Sequence, residues 1–138
     1  MSGPEAAFQD ALVARLIADG DVTALIGAPA RLYDEAPAGA AYPYVTLGRA
    51  VSQDRSAGDA QIIEHRLTLH AWTRRGGRRE AKEIIEVMRA AVHEQVFALG
   101  DDWTLVSCRA VYADAFRTAD ARIAHGVLRF KAVIQANA

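Results

Sequence analysis

Between Glu64 and Gln95 the chain reads EHRLTLHAWTRRGGRREAKEIIEVMRAAVHEQ, and its apolar spacing changes from alternating to helical across a double glycine. Leu67, Leu69 and Ala71 alternate with Arg66, Thr68 and His70, which marks a strand over 62–74 with one buried face. Ile84, Ile85, Met88 and Val92 then share a stripe opposite Lys82, Glu86, Arg89 and His93, on a helix expected over about 79–98. Arg74–Glu80 (RRGGRRE) is the turn between them, with glycines suited to positive φ and arginines left in water. A strand that buries one face, beside a helix that buries one stripe, admits few architectures.

The remaining segments fill in that scheme. Residues 5–19 read as a helix through Phe8, Leu12 and Leu16, with Gly20 placed as a left-handed stop. Asp21 is the expected cap of a single short helical turn ending at Gly27. PARLYDEAPAGAAYP has room only for a short strand at Leu32 and Tyr33. Alternation returns from Tyr44, through Val45, Leu47 and Val51, and again over about 104–116 and 122–135 around the polar turn RTADAR. SQDRSAGDAQ reads as a long, mobile hairpin loop. The order is helix, hairpin, helix, hairpin. The expected fold is therefore α+β: an antiparallel four-stranded sheet built from two hairpins, with the helices packed on one face. One domain over 1–138 is expected, since 138 residues can bury a core.

Charge and cysteine content remove several function classes. Lys and Arg number 16 against 17 Asp and Glu, so the chain lacks the basic excess of a dedicated nucleic-acid binder. Arg far outnumbers Lys, which suits packed bidentate contacts at an interface or reflects a GC-rich genome. The one cysteine, Cys108, permits neither an intramolecular disulfide nor a multi-cysteine metal site. Residues 1–20 lack a basic start followed by an apolar run, and no apolar stretch is long enough to cross a bilayer, which points to a soluble protein folded in a reducing cytoplasm.

No catalytic or cofactor constellation emerges either. His65 and His70 are an odd number of residues apart on one strand and face opposite ways, so they cannot chelate one ion together. His93 lies on the polar helix stripe and reads as a solvent-facing residue. His125 shares a face with Arg129 and Lys131 and meets His70 only if their strands are neighbours. RRGGRRE lacks the third glycine of a dinucleotide fingerprint and the Lys-Ser/Thr of a phosphate loop. Cys108 alternates with Val106 and Ala110 as a small buried hydrophobe, and no serine sits in a nucleophile elbow. Asp101–Asp102 falls at a turn beside Gly100, where Asp bonds locally. The expectation is no enzyme, no cofactor and no metal.

The face of strand 62–74 turned from the core carries Arg66, Thr68, His70 and Trp72, and that of the last strand carries His125, Arg129 and Lys131. An outward Trp72 among arginines reads as an interface hot spot; if helices cover this face, it is core instead.

Four stretches carry a family likeness: YPYVTLG (42–48), EHRLTLHAW (64–72), GRREAKEI (77–84) and HGVLRFKA (125–132). Over Leu16 to Ile134 the chain resembles the tail-completion proteins of long-tailed phages, nearest the branch of gene transfer agents and related prophages. It looks like the tail terminators, or tail-to-head joining proteins, of siphophages. The resemblance implies a structural virion protein at the head–tail junction, made in the bacterial cytoplasm. There it assembles as a homohexameric ring on the completed tail tube, stops polymerisation and docks the head connector or stopper. DNA passes through the lumen without sequence-specific binding, and no membrane is involved. A closed ring needs two complementary patches per subunit. The candidates are loop 52–60 with Asp54 and Arg55, the strand face with Arg66, His70, Trp72 and Arg129, and the arginines Arg74, Arg75, Arg78 and Arg79. The alternatives are a head-side neck or minor tail protein and, from a different class, a small enzyme of unassigned chemistry.

Overall fold

A computed structural model describes residues 3–138; residues 1 and 2 of the expected domain lie outside the described residues. The elements in chain order are α1 (Pro4–Ala18), α2 (Gly20–Ile26), β1 (Leu32–Tyr33), β2 (Tyr44–Asp54), β3 (Ile62–Thr73), α3 (Gly77–Val92), β4 (Trp103–Arg117) and β5 (Ala124–Ala136). The class is α+β, as expected, but the sheet has five strands in the order β1-β2-β3-β5-β4. The expected four-stranded antiparallel sheet is thus corrected by β1, which pairs parallel with β2 through Leu32↔Val45 and Tyr33↔Thr46. Two residues are too few to show a period. The connector doubles back because the Arg31 side chain holds the Pro43 carbonyl at 2.8 Å while the Val45 amide donates to the Arg31 carbonyl.

Register settles which residues meet the helices. On β3, His65, Leu67, Leu69, Ala71 and Thr73 point to one side; on β5 their rung partners are Ala132, Phe130, Leu128, Gly126 and Ala124. Against that side pack Phe8, Leu12 and Leu16 of α1 and Ile84, Ile85 and Met88 of α3, all buried. The stripe Phe8–Leu12–Leu16 recurs every four residues, the spacing one helix face needs. Gly126 is where the helix comes closest: an added Cβ there would lie 2.9 Å from Ile85 Cδ1 and 3.4 Å from the Cβ atoms of Ala71 and Ala81. His65 lies in this core, edge-on to Phe8 at 5.7 Å, with Nδ1 2.7 Å from Ser52 Oγ. His65 and His70 do face opposite sides of the sheet.

Three boundaries differ from the sequence reading. Asp19, rather than Gly20 and Asp21, makes the α1–α2 corner: its carboxylate accepts from the amides of Asp21 and Val22 at 2.9 and 3.0 Å. The supposed long loop 52–60 is shorter, since β2 runs to Asp54 and an isolated bridge joins Ala57 to Ala60. Asp54 accepts from the Ser56 amide and Ser56 Oγ from the Ile62 amide, so polar residues tie this turn rather than loosen it. Finally, α3 starts at Gly77 and stops at Val92, not near 98. The apolar spacing of Val96 and Phe97 continues the helical pattern, yet Phe97 leaves it to stack on Phe8 at 6.2 Å. His93 is not a solvent-face residue: it ends the helix, and its Nδ1 accepts the Ala110 amide of β4 at 2.9 Å. That bond sits beside one of two bulges in β4, at Ala110/Tyr112 and Leu105/Ser107.

Replacing Gly126 with Val should overpack the α3–sheet contact and cost about 1–3 kcal/mol. Urea unfolding followed by circular dichroism would show it as a lower midpoint with unchanged slope.

Candidate functional site

All three helices lie on the Leu67–Phe130 side, which leaves the opposite face of β2–β5 without a covering element. The rungs spell out what it presents. The last full rung holds Tyr44, Trp72, His125 and Phe116; the next holds Thr46, His70, Val127 and Asp114. Trp72 and His125 stack with ring centroids 4.0 Å apart and 16° between planes. His70 and Phe116 each lie 4.9 Å from His125. The Trp72 Nε1–H donates to Thr46 Oγ1 at 3.0 Å, so the indole has its polar edge satisfied while its flat side stacks on His125. Gly48 makes room for the neighbouring ring, because any Cβ there would collide with His70 and lie 3.0 Å from the Thr68 carbonyl.

The β3 and β5 strands are neighbours, so the condition for His70 to meet His125 is satisfied. His70 Nδ1 and His125 Nε2 lie 2.7 Å apart. One ring must donate and the other accept; a proton on both nitrogens would set donor against donor. Burial holds both rings below their ordinary value of 6.5, helped by Arg129 at His70 and by His70 itself at His125, while Asp114 partly offsets the latter. Burial lowers His65 as well, against a smaller pull from Glu5.

Toward the other end of the same face the chemistry turns cationic. Arg66, Lys131 and Arg109 occupy one rung. Glu64 holds Arg66 at 2.7 Å, Lys131 at 3.4 Å and Arg55 at 3.5 Å. Burial raises the Glu64 carboxyl, but these three cations outweigh it and leave the group below its usual range. Arg129 donates to Thr68 Oγ1 and lies over the Tyr112 ring at 5.0 Å.

A second feature lies where β3 enters α3. The pairs Arg74–Arg75 and Arg78–Arg79, with Lys82, face Arg117 and Arg122 of the β4–β5 turn across a cleft of about 1030 Å³. Gly77, at φ 61°, provides the left-handed step that lets the chain turn into the helix. Thr73 Oγ1 donates to the Gly77 carbonyl at 2.7 Å and fixes the corner. Arg79 pairs with Glu83 and Arg122 with Asp120. Arg74 lies over the Tyr42 ring.

The sequence-derived candidates therefore fall into three groups. Arg66, His70, Trp72 and Arg129 share the open face; Arg74, Arg75, Arg78 and Arg79 share the cleft; Asp54 and Arg55 sit at the far hairpin, where Arg55 turns toward Glu64. Sequence reasoning left out Tyr112 and Phe116, because bulges in β4 break the alternation that assigns faces. It also left out Arg117 and Arg122, which approach the cleft only through strand pairing.

This geometry offers aromatic packing and charged contacts. Among the described residues no group of three or more His, Cys, Asp or Glu is arranged to hold a metal ion. Cys108 is buried, and burial pushes its thiol up to about 12, so it stays protonated and unreactive. No helix among the described residues is long and apolar enough to cross a membrane.

Comparison with known proteins supplies the family. The model for "Tail completion protein gp17" matches residues 10–135. The chain belongs to that family. A solved chain from a structure titled "Virion of native gene transfer agent (GTA) particle" matches with a TM-score of 0.86 and 26% identity, over 98% of this chain and 99% of that one. A comparison with curated proteins gave no match. The tail-completion family is one of structural tail proteins, and the likeness to a virion component agrees with it.

The histidines give stability a pH sign. The unfolded chain protonates near pH 6.5, whereas the folded rings resist, so folding loses stability as pH falls below that value. The urea midpoint should be lower at about pH 5.5 than at about pH 7.5, and His70→Gln with His125→Gln should shrink that difference.

Proposed function

We propose that this chain is a ring subunit at the junction of tail and head. It caps the completed tail tube, stops its polymerisation and offers a docking surface to the head-side connector. The subunit is a single domain over residues 1–138, the ring is expected to hold six copies, and the DNA passes through its opening. Family membership supports the setting, and one observation supports the mode of action: a whole sheet face without helices, carrying the Trp72–His125–Phe116 stack. A fully solvated monomer gains little from ordering three aromatic rings in one exposed cluster, whereas a face that meets another protein uses such anchors at its centre.

Within this reading Arg66, His70, Trp72 and Arg129 form the contact on the open face. Asp54 and Arg55 contribute from the hairpin tip, and Arg74, Arg75, Arg78 and Arg79 from the cleft. The chemistry required is packing, charge pairing and exclusion of water. No cofactor and no bond-making step enters it.

Deletion of the gene in a producing host, followed by electron microscopy, tests the role. DNA-filled heads beside unattached tubes of irregular or excessive length are expected. Leaking heads with normal tubes would move the protein to the head side of the neck, and normal particles would refute the structural reading. At the residue level, Trp72→Ala should weaken assembly about tenfold or more while the monomer stays folded by circular dichroism. Unimpaired assembly of that variant would remove the open face from the interface.

A further inference from the structure

A net charge of −1 conceals a strong separation of charge along the strands. From Ile62 to Thr73, β3 spans roughly 35 Å at the usual strand rise. The rung that closes one end of the sheet is Thr73–Ala124–Arg117, and the basic cleft is built on it. At the opposite end, beyond the Arg66–Lys131–Arg109 rung, the loops that close the sheet are acidic. Asp54 and Asp59 lie in the β2–β3 hairpin there, and Asp101 and Asp102 immediately precede β4. The Asn137 amide and side chain donate to the carbonyls of Asp102 and Asp101, which pins this aspartate pair to the end of β5 with its side chains exposed. Glu5, at the start of α1, borders the same hairpin beside Asp54. Arg55, the cation in this hairpin, is turned away toward Gln53 and Glu64.

We propose that the basic cleft of one copy receives the acidic end of a second copy, so that subunits associate head to tail through charge. The inference rests on reading the chain as a ring subunit and names the contact that joins neighbours. Three observations carry it. The cleft holds Arg75, Arg78 and Lys82 with no acidic partner of their own among the described residues. Asp59, Asp101 and Asp102 are likewise without a cationic partner among the described residues. Lastly, the chain as a whole is nearly neutral, with a net charge of −1. A surface selected for nucleic acid leaves its cations in excess, whereas here the counter-charge is on the same molecule, at the far end. Two unlike patches on one subunit are also what a head-to-tail contact requires.

The test is sedimentation velocity on the purified full chain, wild type and two double variants, with folding checked by thermal melting. Arg75→Glu with Arg78→Glu lowers the charge of the basic cleft by four; Asp101→Lys with Asp102→Lys raises that of the acidic end by four. Wild-type chain should associate at about 50 mM salt and weaken at least about tenfold at about 500 mM, where the screening length is short. Each variant alone should remain monomeric at both. Mixed in equal amounts they should associate again, because the unaltered acidic end of one meets the unaltered cleft of the other, and the introduced glutamates meet the introduced lysines. The proposal is overturned if the mixture stays monomeric, if either variant alone assembles as wild type does, or if wild type is monomeric throughout. It is also overturned if Arg75→Glu with Arg78→Glu abolishes binding of a short DNA duplex and leaves self-association intact, which would make nucleic acid the occupant. The same variants expressed in the deletion host separate the two readings. Normal tails from both variants, against overlong tubes from the deletion, would refute this contact and leave the capping role standing.

Discussion

β3 and β5 share twelve consecutive rungs, from Ile62↔Gln135 to Thr73↔Ala124. Every other feature of the molecule follows from that register. Side chains alternate strictly across a strand, so one parity of these rungs sends Leu67, Leu69, Leu128 and Phe130 to the helices, and the other sends Trp72, His70, His125 and Arg129 to the open side. A slip of one residue would bury Arg129 and expose Phe130, and the core would be lost. The apolar demand of one face thus decides the functional composition of the other. The Trp72–His125 stack exists because Leu69 and Leu128 have to be opposite each other.

That dependence explains why the fold was largely legible. Strong alternation in β3 and β5, and the stripe Ile84–Ile85–Met88–Val92 in α3, were enough to give the α+β class and the hairpins, while whether helices cover the Trp72 face stayed open. What escaped was decided by single contacts that carry no period. The short strand at Leu32 and Tyr33 was expected, but its place as a fifth strand of the sheet rests on the pairing beside Arg31. The end of α3 is set by His93 reaching Ala110 rather than by any stop signal. The hairpin at 55–61 is ordered by Asp54 and Ser56, residues whose polarity alone suggested mobility.

The candidate surfaces were legible to a lesser degree. Arg66, His70, Trp72 and Arg129 could be assigned to one face because they sit on the two regular strands. Phe116 and Tyr112 could not, since each bulge in β4 shifts the parity of everything beyond it. The cleft was visible as four arginines in one turn, but its opposite wall, Arg117 and Arg122, depends on β4 and β5 being paired. The separation of charge between the ends of the sheet is a property of strand direction, and no count of charges reveals it.

The bulges in β4 have one more consequence. β4 is a free margin of the sheet over its fifteen residues, and such margins invite further strands to add on by backbone hydrogen bonding. Here the ladder is interrupted near Val106 and again near Val111, while on the other margin β1 covers only Val45 and Thr46 and β2 carries its own irregularity between Leu47 and Ala50. Neither side can therefore template an unbroken extension of the sheet. Under the proposed role, in which a limited number of copies join, these interruptions would keep the chain from growing into fibres.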